Sequence, residues 1–169
     1  GTDGDDFLTV GCAEGMAQLD GTDVPGAACG DVQRIDLDLR GGVNNAALTT
    51  LAAFALDPTN SGEFRGEGGS NVLGIDLSDH PQDLALLIRP PSSTGHRSEI
   101  NVSEIGNDPS DPLYAFFADD TLIVEWNAGP GDDTVVIDPG FTEPPLKGLT
   151  VFGGLGSDAM DLRALSASV

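Results

Sequence analysis

A short turn rich in glycine and aspartate recurs along this chain and limits the folds that it can adopt. Residues 153–161 (GGLGSDAMD) fit the pattern Gly-Gly-x-Gly-x-Asp-x-apolar-x at every fixed position, and residues 128–136 (AGPGDDTVV) and 1–9 (GTDGDDFLT) each miss one position. Weaker echoes begin at residues 41, 66 and 106, so the underlying period is about 20 to 25 residues. Such a period is typical of proteins that stack one small structural unit on the next.

Short stretches in which apolar and polar residues alternate follow these turns. The alternating apolar sets are Ile35-Leu37-Leu39, Leu73-Ile75-Leu77, Leu122-Val124-Trp126, Val135-Ile137, Leu149-Val151 and Met160-Leu162. Strict alternation indicates a strand with one buried face. No single strand could bury its apolar face alone, whereas stacked strands would bury a continuous stripe. The same pattern predicts that Trp126 and Tyr114 pack in the core.

The sequence therefore predicts an all-β fold, specifically a parallel β-solenoid (β-helix) with rungs of about 20–25 residues, as a single domain over residues 1–169. Residues 44–57 place apolar residues at helical spacing, which predicts either a short helix or a poorly patterned rung. Residues 90–99 and 138–146 read as loop insertions, and the first is expected to project from the body.

The charge balance is strongly acidic, with 28 Asp and Glu against 7 Lys and Arg and a formal net charge of −21. Such a field repels phosphates, so nucleic acid and anionic lipid are poor partners for this chain. No apolar run approaches the roughly 18 residues of a membrane span. The field attracts cations instead, although a high-salt source could also favour an acidic surface.

Cys12 and Cys29 are the two cysteines of the chain. A disulfide between them is expected if the protein works in an oxidising compartment, and two buried free thiols are the alternative. The composition favours an extracellular or cell-surface location. Residues Gly1-Thr2-Asp3 show neither an initiator Met nor a basic-then-apolar leader, which predicts a mature form or an excised piece.

The turns can be read as metal sites from their chemistry alone. Calcium takes six to eight oxygen ligands from carboxylates, carbonyls and water, and one turn supplies only about half of such a shell. The turns at 128–133 and 153–158 lie one step apart, so Asp133 and Asp158 are predicted to share an ion, supplemented by Asp132. Carbonyl ligands would come from the glycines of both turns, which are Gly129, Gly131, Gly154 and Gly156. The alternative is a plain corner capped by Asx-type hydrogen bonds, without metal.

A further predicted metal site is the turn at 1–6, with Asp3 and Asp6 as ligands. This turn would need a partner from an earlier rung, and none precedes it in the sequence. It is therefore expected to be a weaker calcium site unless another subunit completes the shell.

The nonapeptides at 153–161, 128–136 and 1–9 resemble the hemolysin-type calcium-binding repeats, also called RTX repeats, of large bacterial surface and secreted proteins. The resemblance implies calcium in the turns and parallel strands between them. Family repeats follow one another every nine residues, whereas these are separated by 22 residues or more. A regular β-roll is therefore not expected, and longer rungs with a few calcium-type turns fit better.

Enzymatic and glycan-binding functions are the alternatives to a calcium-binding structural module. Basic candidates for catalysis are few, and Gly95-His96-Arg97 is the most site-like cluster. No nucleophile elbow, phosphate loop or zinc-type Cys/His spacing occurs in the sequence. A polysaccharide lyase or hydrolase and a carbohydrate-binding domain acting through the 90–99 loop remain the alternatives.

Taken together, these features predict a non-enzymatic structural or adhesive module that calcium stabilises. Repeat-type units occur at both ends of the sequence, at 1–9 and 153–161. This arrangement predicts either a module of a longer array or a subunit that stacks end to end into filaments. The expected partners are neighbouring repeat modules, other copies of the chain and a surface glycan.

Overall fold

The described part of the chain contains fourteen β-strands and two short 3-10 turns. A computed structural model describes residues 4–39, 42–66, 70–91, 95–96, 98–108, 111–118, 122–138, 140 and 146–161. The strands are β1 (Phe7–Ala13), β2 (Met16–Leu19), β3 (Thr22–Ala28), β4 (Ile35–Leu39), β5 (Val43–Leu48), β6 (Gly62–Gly66), β7 (Ser70–Asp76), β8 (Leu84–Arg89), β9 (Ser98–Glu104), β10 (Tyr114–Ala118), β11 (Leu122–Asn127), β12 (Thr134–Ile137), β13 (Leu146–Phe152) and β14 (Ala159–Asp161).

The strands form two seven-stranded sheets. Sheet A has the order β13-β11-β7-β5-β1-β2-β3, and sheet B has the order β14-β12-β8-β9-β10-β6-β4. From β4 to β7, and again from β11 to β14, successive strands alternate between the two sheets. This alternation places the connecting turns of successive layers next to one another.

The prediction of an all-β chain agrees with this structure, but the prediction of a parallel β-solenoid is wrong. Both sheets are mixed: β1-β2-β3 in sheet A and β8-β9-β10 in sheet B are antiparallel, while the remaining pairs are parallel. The period is also irregular, because Leu73 pairs with Val124, 51 residues further on, whereas Val124 pairs with Leu149, only 25 residues further on. The antiparallel β8-β9-β10 segment accounts for the longer step.

One local prediction is also corrected. Residues 44–57 form no α-helix, because they contain most of β5 followed by a single 3-10 turn at Leu51–Ala53. Residues 92–94 and 97, on which the prediction of a projecting 90–99 loop depends, lie outside the described residues. The segment connects the antiparallel strands β8 and β9, and its last two residues belong to β9.

The core lies between the two sheets. It includes most of the residues that the alternating pattern identifies, among them Leu73, Leu77 and Val124, each with no exposed surface, whereas Met160 is 48% exposed. Trp126 and Tyr114 are buried, which confirms their predicted place in the core. Among the described residues, no helix reaches the length and hydrophobicity that a bilayer crossing requires.

A disulfide links Cys12 of β1 to Cys29, which begins a 3-10 turn after β3. The bond closes the segment that contains β2 and β3. These two strands lie beyond β1 at one edge of sheet A. The disulfide therefore ties this antiparallel edge to the parallel part of the sheet.

Candidate functional site

The turns at 128–133 and 153–158 lie directly on top of one another. Gly129 and Gly154 have φ angles of 94° and 86°, and Gly131 and Gly156 have φ angles of 146° and 144°. These left-handed angles favour glycine, so the two turns adopt the same path for the same reason. Pro130 and Leu155 form a parallel bridge between them, and the Gly131 N–H donates to the Leu155 carbonyl at 2.7 Å.

Stacking also requires glycine because the layers approach closely. A Cβ atom on Gly154 would overlap the carbonyl oxygen of Gly129, and one on Gly156 would overlap the carbonyl oxygen of Gly131. The glycines of the recurring motif therefore serve two purposes. They permit the turn, and they let one turn rest on the backbone of the next.

The predicted carboxylates bind backbone N–H groups of the neighbouring layer. Asp132 Oδ1 accepts a hydrogen bond from the Ser157 N–H at 2.8 Å. Asp158 Oδ1 accepts one from the Asp133 N–H at 3.1 Å. The Asp133 and Asp158 side chains thus lie in adjacent layers, as the spacing of the turns predicts. In Asp132 and Asp158, one carboxylate oxygen therefore accepts a backbone N–H, as expected for a turn capped by hydrogen bonds.

A third layer, which the sequence did not reveal, extends this arrangement. The Asp132 N–H donates to Asp83 Oδ1 at 2.9 Å, and the Leu84 N–H donates to Asp133 Oδ1 at 2.7 Å. Asp83 and Leu84 lie just at the start of β8 and have no glycine motif around them. The only sequence signal at this position is an aspartate immediately before an apolar strand.

Asp133 is the most unusual residue of this stacked turn. Only 1% of its surface is exposed, and its Oδ2 atom has no hydrogen-bond partner among the described residues. Burial raises the pKa of its carboxyl group, and repulsion from Asp158, Asp83 and Asp132 raises it further. The hydrogen bond from the Leu84 N–H opposes these effects. A buried, unpaired carboxylate oxygen costs free energy unless a proton or a cation binds there.

The described part of the turn near the N-terminus lies beside the start of β5. The Val43 N–H donates to Asp5 Oδ1 at 2.9 Å, and the Asp6 N–H donates to Asn44 Oδ1 at 3.1 Å. Asn44 Nδ2 in turn donates to Asn71 Oδ1 at 2.9 Å. Asp3 lies outside the described residues. Asp6 therefore contributes its backbone N–H to a stack formed by the Asp5 carboxylate and the side-chain amides of Asn44 and Asn71.

The outer face of sheet B carries a separate ionic network. Glu63 on β6 accepts hydrogen bonds from Arg34 at 2.9 Å and from Arg65 at 2.8 Å. His96, the residue that the sequence singled out, has its Nδ1 atom 3.7 Å from Glu63 Oε1 and packs its ring against Phe117. Arg97 lies outside the described residues. The two arginines neutralise the largely buried Glu63 carboxylate. These ion pairs are therefore enough to explain why the carboxylate is buried.

A similar pair lies across β10 from Glu63. Glu99 on β9 is 2% exposed and binds Arg89 through both Nε and a terminal nitrogen, at 3.1 and 2.5 Å. Asn101 Nδ2 also donates to Glu99 at 3.0 Å. Three of the six arginines of this acidic chain therefore lie on one face of one sheet.

Comparison with known proteins assigns no family to this arrangement. The chain matches no protein-family model and shows no significant similarity to a curated protein or to a solved structure. Within the described part of the chain, no group of three or more His, Cys, Asp or Glu side chains is arranged to hold a metal ion. A cation in the stacked turn would therefore need carbonyl or water oxygens in addition to carboxylates.

Proposed function

We propose that this protein is an extracellular structural or adhesive module whose stacked Gly-Asp turns bind calcium. The observation that carries the proposal is the buried Oδ2 atom of Asp133, for which the described part of the chain provides no hydrogen-bond partner. It lies where the layers of Asp83, Asp132 and Asp158 meet, and none of these four carboxylates forms an ion pair within the described residues. A divalent cation would offset both the burial and the mutual repulsion.

The capping hydrogen bonds are compatible with this role. Each of Asp132, Asp133 and Asp158 uses Oδ1 to accept a backbone N–H, so Oδ2 is the oxygen that would face an ion. Carboxylates that bind metals are commonly held in place by such hydrogen bonds. Calcium also accepts carbonyl and water oxygens in flexible geometry, so the remaining ligands need not be side chains. The carbonyls of Gly129, Gly131, Gly154 and Gly156 are the backbone ligands that we propose for these positions.

The structural or adhesive part of the proposal rests on the last layer of the fold. β13 and β14 are edge strands, and within the described residues each pairs on one side only. Three large apolar side chains of this layer are exposed: Phe152 by 58%, Leu155 by 79% and Met160 by 48%. Unpaired strand edges beside exposed apolar groups are templates for association. Another copy of the chain or a neighbouring module would pair with the free strand edges and cover the exposed apolar side chains.

The opposite edge of sheet A is less suited to pairing. β3 contains Pro25, which has no N–H to donate, and Gly26 with a φ angle of 78°. Proline is typical of strand edges that are protected from association. We therefore propose that at least one of the two partners in each contact uses its β13 and β14 edge.

Calcium titration of the Asp133→Asn variant tests the proposed function. Isothermal titration of the native chain should show calcium uptake, and the variant should bind at least about tenfold more weakly, because it loses one charged ligand, a difference of about 1.4 kcal/mol. The same variant should be at least as stable as the native chain in EDTA, since it removes a buried unpaired charge.

Asp31→Asn provides the matched control, because it removes the same charge from an exposed 3-10 turn that lies outside the stacked turns. Its calcium uptake should equal that of the native chain. Absence of calcium binding to the native chain, or equal binding by the Asp133→Asn variant, would exclude the stacked turn as a calcium site.

A further inference from the structure

The hydrogen bonds between the stacked turns have a direction. The Asp132 N–H donates back to Asp83 and the Ser157 N–H donates back to Asp132, so the middle residue of each Gly-x-Asp unit binds the layer before it. The last residue of the unit does the opposite, because the Asp133 N–H donates forward to Asp158 Oδ1. Each layer therefore leaves one backbone N–H and one side-chain acceptor for the layer that follows it.

The turn near the N-terminus follows the same rule. The Val43 N–H donates back to Asp5 Oδ1 at 2.9 Å, and the Asp6 N–H donates forward to Asn44 Oδ1 at 3.1 Å. These two Gly-x-Asx units therefore form two layers of a second ladder, which has the same direction as the first.

The first ladder ends at the 153–158 turn. Within the described residues, the Asp158 N–H makes no hydrogen bond, and the Ser157 side chain is exposed. The Asp158 carbonyl points outward, because the peptide bond that follows it directs the Ala159 N–H inward to the Asp133 carbonyl. The last layer therefore presents one N–H donor, one hydroxyl group and one carbonyl to a following layer.

The second ladder begins at an open strand edge. β2 pairs with β1 only from Val10 onward, so within the described residues the start of β1 has no neighbouring strand on that side. The Phe7 N–H points to this side, because the peptide bond before it directs the Asp6 carbonyl to the Asn45 N–H of β5. Phe7 is 73% exposed, and an open cavity of about 570 Å³ borders the start of β1.

We propose that the last layer of one copy of the chain binds the 4–6 layer of a second copy, head to tail. This inference rests on the β13 and β14 association edge proposed above and supplies its partner surface. The Asp158 N–H of one copy would donate to the Asp6 carboxylate of the next, and the Phe7 N–H would donate back to the Asp158 carbonyl. The Asp5 N–H would donate to the Ser157 hydroxyl group.

The two edges also match in length and in their side chains. β14 has three residues, and three residues of β1, Phe7–Thr9, precede its pairing with β2. In this register Met160, which is 48% exposed, would lie beside the half-buried Leu8. The free edge strand β4 offers no such layer, because Gln33 and Arg34 precede it in place of a Gly-x-Asx unit. The direction of the ladder therefore selects β1 as the partner of β14.

The contact should require calcium. It would bring Asp158 of one copy beside Asp5 and Asp6 of the next, and these carboxylates would repel one another. A divalent cation offsets this repulsion. Association is therefore expected in calcium and not in EDTA.

Two proline variants, each of which blocks one side of the contact, test this proposal. Phe7→Pro removes the N–H donor at the start of β1, and Met160→Pro removes an outward N–H of β14. Both positions lie on strand edges, where proline is tolerated. In millimolar calcium, sedimentation velocity should show particles larger than a monomer for the native chain and monomers for each variant alone. An equimolar mixture should give a particle of about twice the monomer mass, because each variant supplies the surface that the other lacks.

Val24→Pro is the matched control, because it places a proline on the edge strand β3 at a residue that pairs with none in β2. This variant should associate as the native chain does. Circular dichroism confirms that each variant is folded. Where a proline variant does not fold, Asp6→Ala replaces it on the β1 side and Met160→Asp on the β14 side.

The outcomes separate this contact from the association edge itself. If Phe7→Pro associates as the native chain does, or if the mixture of variants yields no dimer, the head-to-tail contact is overturned and association through the β13 and β14 edge still stands. A native chain that stays monomeric in calcium would overturn both. Calcium titration reports separately on the metal site, so neither result depends on it.

Discussion

Replacing Gly154 with alanine is expected to lower the free energy of unfolding by about 2–5 kcal/mol. The left-handed backbone at this position costs about 1–2 kcal/mol for a residue with a Cβ atom. The Cβ atom would in addition overlap the carbonyl oxygen of Gly129 in the layer beneath, and such overpacking costs about 1–3 kcal/mol. Urea unfolding followed by circular dichroism measures the difference.

Gly15→Ala separates the two contributions. Gly15 has a φ angle of 80°, close to the 86° of Gly154, but no atom lies within 4 Å of the position of its Cβ. The control variant should therefore show only the backbone cost. If Gly154→Ala and Gly15→Ala destabilise the protein equally, the close stacking of the two turns is not a source of stability.

Loss of the disulfide is expected to lower the stability by about 3 kcal/mol in the chain-entropy description, because the bond joins residues that are 17 positions apart. For a chain of this size, that loss corresponds to a fall in Tm of about 6–12 °C. The Cys12→Ser, Cys29→Ser double variant and the native chain in reductant should melt at the same temperature, both below the oxidised native chain.

The double variant also serves as the control for the reductant, which should not change its Tm. Equal melting of the oxidised and reduced native chains would contradict the expectation. In that case the hairpin of β2 and β3 would be held to β1 mainly by backbone pairing, which links these three strands in sheet A.

Six of the fourteen described strands, β4, β7 and β11 to β14, were predicted from alternation, because a period of two indicates one buried face. Ile35, Leu73 and Val135 are buried in these strands, as the period of two requires. The helical spacing in residues 44–57 was misleading, because a few apolar residues at that spacing also fit a strand followed by a turn. Pairing with β1 and β7 on both sides decides in favour of strand β5.

Strand direction was not predictable from the same pattern. A strand buries the same face whether its neighbour is parallel or antiparallel, so alternation in β8 and β9 carries no information on how they pair. The connections at 90–97 and 105–113 are short enough to return the chain beside itself, which favours antiparallel pairing. The regularly spaced turns elsewhere in the chain fit a wholly parallel arrangement, so the sequence favoured a parallel solenoid.

The stacked turn was partly predictable. A glycine-rich motif indicates a turn from the local sequence alone. The regular spacing of the motifs then placed Asp133 and Asp158 in adjacent layers. The contribution of Asp83 was not predictable, because 49 residues separate it from Asp132 and the antiparallel strands β9 and β10 intervene. The burial of Asp133 also depends on this third layer, so the sequence could not distinguish Asp133 from the exposed Asp132.

Thermal unfolding of the native chain in EDTA and in millimolar calcium, with light scattering recorded alongside, tests the central claim most directly. If calcium fills the stacked turn at about 100 times its Kd, the folded state gains about 2.7 kcal/mol. Tm should then rise by about 5–10 °C, and particle mass should grow as the β13 and β14 edges associate. An unchanged Tm together with a monomeric chain at high concentration would contradict the account, and the Gly-Asp turns would then be corners capped only by hydrogen bonds.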